Sequence, residues 1–122
     1  MDKNTAKVLI CDDSILARKS LRGMLENMGY KNILEVANGQ DAVDMCEKEA
    51  PDLVLLDIVM PVKDGVTATK EIKVIAPQTN IVIISSVGTQ THLTEAIKAG
   101  ARDFIQKPID AELLSQVLDN IN

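Results

Sequence analysis

The chain has 122 residues, of which 46% are hydrophobic and 25% are charged, and its formal net charge is −5. This length and apolar content suit a globular domain with a substantial core, and they exclude a disordered protein and a disulfide-stapled miniprotein. The net negative charge, with Lys and Arg scattered along the chain, argues against direct binding to nucleic acid, which requires clustered cations. We therefore expect residues 1–122 to form a single domain.

The amino-terminal segment and the two cysteines bear on the compartment. MDKNTAKVLI lacks the basic and the long apolar stretches of a secretory signal, and the apolar runs elsewhere are far too short to span a membrane. Cys11 and Cys46 lack the spacing of a metal site, so both are expected to be small buried side chains. We therefore expect a soluble, cytoplasmic protein with no membrane partner.

Five apolar runs with strand character alternate with helical patterns along the chain. The runs are KVLIC (7–11), NILEV (32–36), DLVLL (52–56), NIVII (80–84) and RDFIQ (102–106). Most of them are apolar enough to be buried on both faces, as strands of a parallel sheet are.

The segments between and after these runs repeat apolar residues at helical spacing. The predicted apolar faces are, in chain order, Leu21, Met24, Leu25 and Met28; Ala42, Val43 and Cys46; Ala68, Ile72, Ile75 and Ala76; Leu93, Ala96, Ile97 and Gly100; and Leu113, Leu114, Val117, Leu118 and Ile121. Gly29 is expected to end the first helix, while Asn38 and Asp110 are expected to begin the second and the fifth. The alternation predicts an α/β fold, a (βα)5 doubly wound parallel sheet, because five units are too few for an eight-stranded barrel.

Polar side chains follow four of the predicted strands. Asp12 and Asp13 follow the first strand, Asp57 follows the third, Ser85 the fourth and Lys107 the fifth. Ligands of open α/β sheets bind beyond the carboxyl ends of the strands, so these side chains are expected to converge. Three converging carboxylates repel one another unless a cation compensates them. Oxygen ligands suit Mg²⁺, and the lack of His and Cys at these positions argues against zinc.

Taken singly, these residues also have ordinary structural explanations. Asp13 can cap the first helix, and Asp57 can be a turn residue. Lys107 can be an exposed loop charge, and Ser85 can bond to a neighbouring backbone group. Only the joint arrangement favours a ligand site.

The same residues carry a resemblance to a known family. DD after the first strand, LLDIVMP and KDG around Asp57, SS after the fourth strand and KP after the fifth are similar to the motifs of two-component response regulator receiver domains. The resemblance covers essentially the whole chain and is closest to free-standing chemotaxis regulators of the CheY type, through EAIKAGARDFIQKP. It implies a monomer with a flavodoxin-like sheet of order 2-1-3-4-5.

The resemblance implies a phosphoacceptor role for Asp57, with a histidine kinase as the phosphodonor. Lys107 would pair with the phosphoryl oxygens, Ser85 would donate a hydrogen bond to them, and the peptide bond before Pro108 would be cis. Such a transfer depends on positioning and charge neutralisation more than on covalent help from the protein. The chain would thus be a signalling phosphoacceptor that catalyses its own phosphorylation and its slow dephosphorylation.

The resemblance also implies the ligands of a Mg²⁺ ion. Asp13 and Asp57 would contact the metal, and Asp12 would act mainly through a metal-bound water. The backbone carbonyl of Val59 would complete the ligands from the protein.

A switch follows from the same resemblance. Ser85 would move towards phosphorylated Asp57, and Phe104 would fill the vacated space, although a core phenylalanine is an alternative explanation of that residue. The output surface would lie on the fourth helix, fifth strand and fifth helix, with Lys98, Phe104 and Gln106 as candidates. In a chemotaxis protein its partner would be a flagellar switch protein.

Val59 and Val87 occupy the two positions that, by resemblance, orient the water that hydrolyses the phosphoaspartate. Neither side chain can hydrogen-bond, so slow self-dephosphorylation is expected. The alternative is that both valines only pack the loops beneath them.

Other functions fit parts of the pattern. A receiver domain of a larger regulator, or a phosphorelay shuttle between two histidines, would carry the same motifs. A small Mg²⁺-dependent phosphatase of the haloacid dehalogenase type also uses an aspartyl nucleophile, but it requires a second acid two residues later, where this chain has Val59.

Overall fold

The computed structural model describes residues 1–86 and 90–121, which form a three-layer α/β fold. The strands are β1 (Lys7–Cys11), β2 (Asn32–Val36), β3 (Leu53–Asp57), β4 (Asn80–Ser85) and β5 (Asp103–Gln106). The helices are α1 (Ile15–Met28), α2 (Gly39–Glu49), α3 (Gly65–Ile75), α4 (Gln90–Ala99) and α5 (Ala111–Asp119). The strands pair in parallel in the order β2-β1-β3-β4-β5. The predicted (βα)5 fold and its flavodoxin-like order are confirmed.

Alternate residues of the central strands pack on opposite faces of the sheet. Leu9 of β1 belongs to a core cluster with residues of α2, α3 and α4, whereas Ile10 belongs to a second cluster with residues of α1 and α5. Burial on both faces explains why these strands are continuously apolar. Cys11 and Cys46 are buried free thiols, as predicted. Burial raises the pKa of Cys46 to about 12, so this thiol stays protonated at neutral pH.

The predicted helix ends agree with the observed caps. The side chain of Asn38 accepts a hydrogen bond from the backbone N–H of Asp41, and Asp110 caps α5 in a similar way. Gly29 ends α1 with a φ of 103°, a left-handed conformation that glycine adopts without strain. None of the helices over the described residues has the length and apolar character that crossing a bilayer requires.

Four predictions for the apolar faces are wrong. Gly100 is exposed and lies beyond the end of α4, and three side chains are partly exposed. Ile75, Ile97 and Leu113 are 40%, 41% and 44% exposed. Each lies at the margin of its helix's apolar face, beside a buried neighbour such as Ala96 or Leu114. Helical spacing predicts the centre of an apolar face better than its edges, because the neighbouring elements decide where the face stops.

Val62, in the loop between β3 and α3, is the basis of a stability prediction. It is 80% exposed and has a φ of 70°, a left-handed value that is strained for a β-branched side chain. Asn tolerates this conformation, so Val62→Asn should raise the free energy of unfolding by about 1 kcal/mol in urea denaturation.

Val74→Asn is the matched control for this prediction. Val74 is also 80% exposed but lies inside α3, where Val and Asn have similar helix propensities. Its free energy of unfolding should change by less than about 0.5 kcal/mol. Equal changes in the two variants would show that backbone strain at Val62 is not the cause.

Candidate functional site

The carboxyl ends of β1 and β3 carry two buried aspartates. Asp57 is the last residue of β3 and is 6% exposed, and Asp12, directly after β1, is 1% exposed. The N–H of Asp12 donates to the carbonyl of Val36, which continues the pairing of β1 with β2. A Cβ on Gly65 would lie 2.7 Å from the carbonyl oxygen of Asp57, so the start of α3 can approach Asp57 only with glycine at this position.

Lys107 joins the two buried aspartates. Its Nζ lies 3.0 Å from Oδ2 of Asp12 and 3.0 Å from Oδ2 of Asp57. Burial acts to lower the pKa of Lys107, but the hydrogen bonds to Asp57 and Asp12, together with the attraction of their charges, outweigh burial and raise it, so the amine is charged. The Lys107–Pro108 peptide bond is cis, as the resemblance implied. Lys107 is therefore not a simple exposed loop charge.

Asp13 brings a third carboxylate to this edge of the sheet. One carboxylate oxygen each from Asp12, Asp13 and Asp57 lie within 4.8 Å of one another. Three ionised carboxylates and one ammonium group together carry a net charge of −2. Burial has the largest influence on the pKa of Asp57 and raises it. A divalent cation would neutralise the two charges, and an all-oxygen ligand set fits Mg²⁺. We refer to Asp12, Asp13, Asp57 and Lys107 as the acidic site.

Backbone groups hold the remaining oxygens of the two buried carboxylates. Oδ1 of Asp12 accepts from the N–H of Ser14 at 2.9 Å, and Oδ1 of Asp57 accepts from the N–H of Val59 at 3.1 Å. Ser14, rather than Asp13, caps α1, so capping does not explain Asp13. Asp57 does accept a turn hydrogen bond, but its other oxygen faces Lys107.

Ser85 lies beside the acidic site at the end of β4. It is 4% exposed, and its carbonyl oxygen accepts from the N–H of Lys107 at 2.7 Å. Asp57 pairs with Ile84, the residue before Ser85. Neighbouring strands thus bring Asp57, Ser85 and Lys107 to one edge, as predicted.

Burial separates the alternative explanations of Phe104 and Val59. Phe104 is 45% exposed, so the alternative that it is a core phenylalanine is wrong. It is exposed because β5 is an edge strand and Phe104 lies on the face opposite to the buried Ile105. Val59 is 55% exposed, so its side chain does not simply pack the loop beneath it. Val87 lies outside the described residues. Lys98 and Gln106 are exposed, like Phe104, as an output surface requires.

Sequence analysis missed a set of charged residues behind Asp12. Arg18 donates from Nη1 to the carbonyl oxygen of Asp12 at 2.7 Å and from Nε to Glu35 at 3.2 Å. Arg22 donates from Nε to the second oxygen of Glu35 at 2.6 Å. Two signals could have found this set: Glu35 interrupts the apolar strand NILEV, and the two arginines are one helical turn apart.

Comparisons with known proteins place these features in a family. Residues 8–119 match the family of the response regulator receiver domain. The chain is 42% identical to the chemotaxis protein CheY of Bacillus subtilis over 116 residues, which cover 95% of this chain and 94% of the relative. It is 39% identical to the chemotaxis protein CheY of Thermotoga maritima over 116 residues, 95% of this chain and 97% of the relative.

Solved structures agree with this likeness. The receiver domain of the sensor histidine kinase PA1611 of Pseudomonas aeruginosa, solved with a magnesium ion coordinated in its active site cleft, has a TM-score of 0.87 and 27% identity over 97% of this chain and 98% of that chain. NtrX of Brucella abortus has a TM-score of 0.88 and 32% identity over 97% of this chain, which spans 27% of that chain. This protein belongs to the family of response regulator receiver domains and is closely related to CheY.

Proposed function

We propose that Asp57 accepts a phosphoryl group from a histidine kinase in a Mg²⁺-dependent reaction. The observation that carries this proposal is the contact of one ammonium group, that of Lys107, with both Asp12 and Asp57, beside the carboxylate of Asp13. A cation held against a buried carboxylate is suited to receive the oxygens of an incoming phosphoryl group.

The residues of the acidic site divide the work of the transfer. A carboxylate oxygen of Asp57 forms a bond to phosphorus while the bond from phosphorus to the donor imidazole nitrogen breaks, and the imidazole keeps the electron pair. The hydrogen bond from the Lys107 ammonium group favours the ionised form of this carboxylate, and an ionised carboxylate needs no general base for the step. The ammonium group of Lys107 would shift from the Asp57 carboxylate to the new phosphoryl oxygens, and the Ser85 hydroxyl would donate to them.

Asp13, Asp57 and the backbone carbonyl of Val59 would hold the metal, with Asp12 acting mainly through water. A bound Mg²⁺ would supply charge neutralisation at the transferring group. Support for this ligand set comes from the short separations of the three carboxylates in the acidic site. The related PA1611 receiver domain, which binds magnesium in its active site cleft, gives independent support.

The phosphorylated chain would act through the surface formed by α4, β5 and α5. Ser85 would follow the phosphoryl group, and Phe104, now 45% exposed, would move inward on β5. The likeness to CheY supports a cytoplasmic chemotaxis role, with a flagellar switch protein as partner and slow self-dephosphorylation ending the signal. A receiver within a larger regulator is the alternative, and the observation behind it is the likeness to NtrX, of which this chain spans 27%.

Phosphorylation of the wild-type chain by acetyl phosphate tests the proposal. With Mg²⁺ present, intact-mass spectrometry should show addition of one phosphate, and peptide mapping should locate it on Asp57. Chelation of the metal should suppress the addition. A phosphate on another residue, or equal phosphorylation without metal, would contradict the proposed reaction.

Lys107→Ala should uncouple the acidic site from the output surface. Lys107 directly follows β5, and its ammonium group contacts Asp57, so it connects a charge on Asp57 to that strand. The variant should therefore bind Mg²⁺ and keep its fold, but beryllofluoride should no longer shift the amide NMR signals of Phe104 and Gln106. Lys98→Ala, on the exposed face of α4, is the control and should retain those shifts. Normal shifts in the Lys107 variant would show that another residue carries the signal.

A further inference from the structure

Arg18, which lies outside the acidic site, bonds through its side chain to the backbone of Asp12. The backbone N–H of Arg18 donates to the carbonyl of Ser14 at 3.0 Å, and its Nη1 donates to the carbonyl of Asp12 at 2.7 Å. One residue thus holds the chain on both sides of Asp13. The Arg18 side chain is 16% exposed, so these contacts are largely shielded from water.

The contact with the Asp12 carbonyl affects Asp13 through the peptide group that joins them. This carbonyl and the N–H of Asp13 belong to one planar peptide group. A hydrogen bond that fixes the carbonyl therefore also restricts the orientation of the Asp13 backbone, and with it the direction of the Asp13 side chain. The N–H of Asp12 donates to Val36, and the Asp12 carboxylate accepts from Ser14 and Lys107. The bond from Arg18 is the shortest of these four and is charge-assisted.

Glu35 orients the Arg18 guanidinium group, and its single negative charge is shared between Arg18 and Arg22. Its two oxygens accept separately from Arg18 and Arg22, which lie one turn apart on α1. The hydrogen bond from Arg22 is the main reason that the pKa of Glu35 is lowered, so Glu35 is ionised at neutral pH. An ionised Glu35 allows two like charges to lie side by side, and it aims the second nitrogen of Arg18 at Asp12.

We propose that Arg18 is a positioning residue for the metal site, which sets the affinity for Mg²⁺ by fixing the Asp12–Asp13 peptide group. This inference rests on the proposed function, because it takes Asp13 as a metal ligand. Arg18 does not touch the metal. Residues that orient metal ligands in this way typically affect metal affinity by about tenfold to a hundredfold when they are removed.

The sign of the effect separates positioning from simple electrostatics. Arg18 carries a positive charge near the acidic site, so loss of that charge alone would tighten binding of a cation. Loss of positioning would weaken it. Arg18→Gln therefore gives opposite results under the two explanations.

Isothermal titration of the full chain with Mg²⁺, without a phosphodonor, tests the inference. Arg18→Gln should weaken binding by about tenfold. Arg18→Lys keeps the charge, but lysine lacks the planar guanidinium group that bonds to Asp12 and Glu35 at the same time. The Mg²⁺ affinity of this variant should therefore lie between those of the wild type and Arg18→Gln. Unchanged or tighter binding by Arg18→Gln would overturn the inference.

Arg22→Gln is the matched control, because Arg22 shares Glu35 but donates its other bond to Ile33 rather than to Asp12. Its Mg²⁺ affinity should stay within about twofold of the wild type, even if its melting temperature falls by as much as that of Arg18→Gln. Equal weakening in both variants would reflect loosening of α1 and would contradict a positioning role.

Asp13→Ala separates failure of this inference from failure of the proposed function. If the wild type does not bind Mg²⁺, or if Asp13→Ala binds it as well as the wild type does, the proposed ligand set is wrong and the inference falls with it. If Asp13→Ala weakens binding while Arg18→Gln does not, the ligand set stands and only the role of Arg18 is overturned.

Discussion

Asp57→Asn should abolish phosphorylation of the chain by acetyl phosphate. The amide has nearly the shape of the carboxylate, but it is neutral and a far weaker nucleophile, so no bond to phosphorus should form. The amide oxygen can still accept from the N–H of Val59 or from Lys107, which should preserve the local fold. Intact-mass spectrometry with Mg²⁺ present should show no added phosphate, and circular dichroism should match that of the wild type.

Asp64→Asn is the control for this variant. Asp64 lies in the loop that follows Asp57 and caps α3 through the N–H of Thr67, a role that Asn fills equally well. This variant should still take up one phosphate at Asp57. A wild-type level of phosphate on Asp57→Asn would place the nucleophile elsewhere, and loss of phosphate in both variants would point to a general disturbance of the loop.

The periodicity of the sequence is sufficient to predict the fold, because only a parallel sheet covered on both faces buries five short apolar runs among amphipathic helices. Strand ends are predicted less well. DLVLL was expected to span 52–56, whereas β3 is Leu53–Asp57 and Asp57 itself pairs with Ile84. Hydrophobicity cannot identify a carboxylate as the last residue of a strand, although the backbone of Asp57 pairs like any other.

The acidic site could be predicted because each of its residues is a chemically distinctive side chain directly after an apolar run. The contact of Arg18 with Asp12 could not be predicted in this way, since its acceptor is a backbone carbonyl that every residue has. The exposure of Phe104 also depends on neighbours, because an edge strand is covered differently on its two faces. Sequence patterns thus predict which side chains come together in the site. They predict less well which residues support those side chains and which neighbours cover them.

Val59 leads to the second large expected effect, on the lifetime of the phosphorylated state. Val59 is 55% exposed and lines a cleft of about 300 Å³ that also includes Asp64 and His92. A water that hydrolyses phosphorylated Asp57 must be oriented by polar groups, and the valine side chain offers none. We therefore expect the wild type to lose phosphate slowly, and Val59→Asn combined with Val87→Glu to lose it about tenfold to a hundredfold faster.

The measurement is the decay of phosphate on Asp57 after rapid removal of acetyl phosphate, with Mg²⁺ held constant. Val59→Asn alone should account for part of the acceleration, and its backbone carbonyl, the proposed metal ligand, is unchanged. Val62→Asn makes the same side-chain change three positions along the loop, at a residue that is 80% exposed, and it should decay like the wild type. If the double variant decays no faster than Val62→Asn, the side chains at positions 59 and 87 do not set the lifetime.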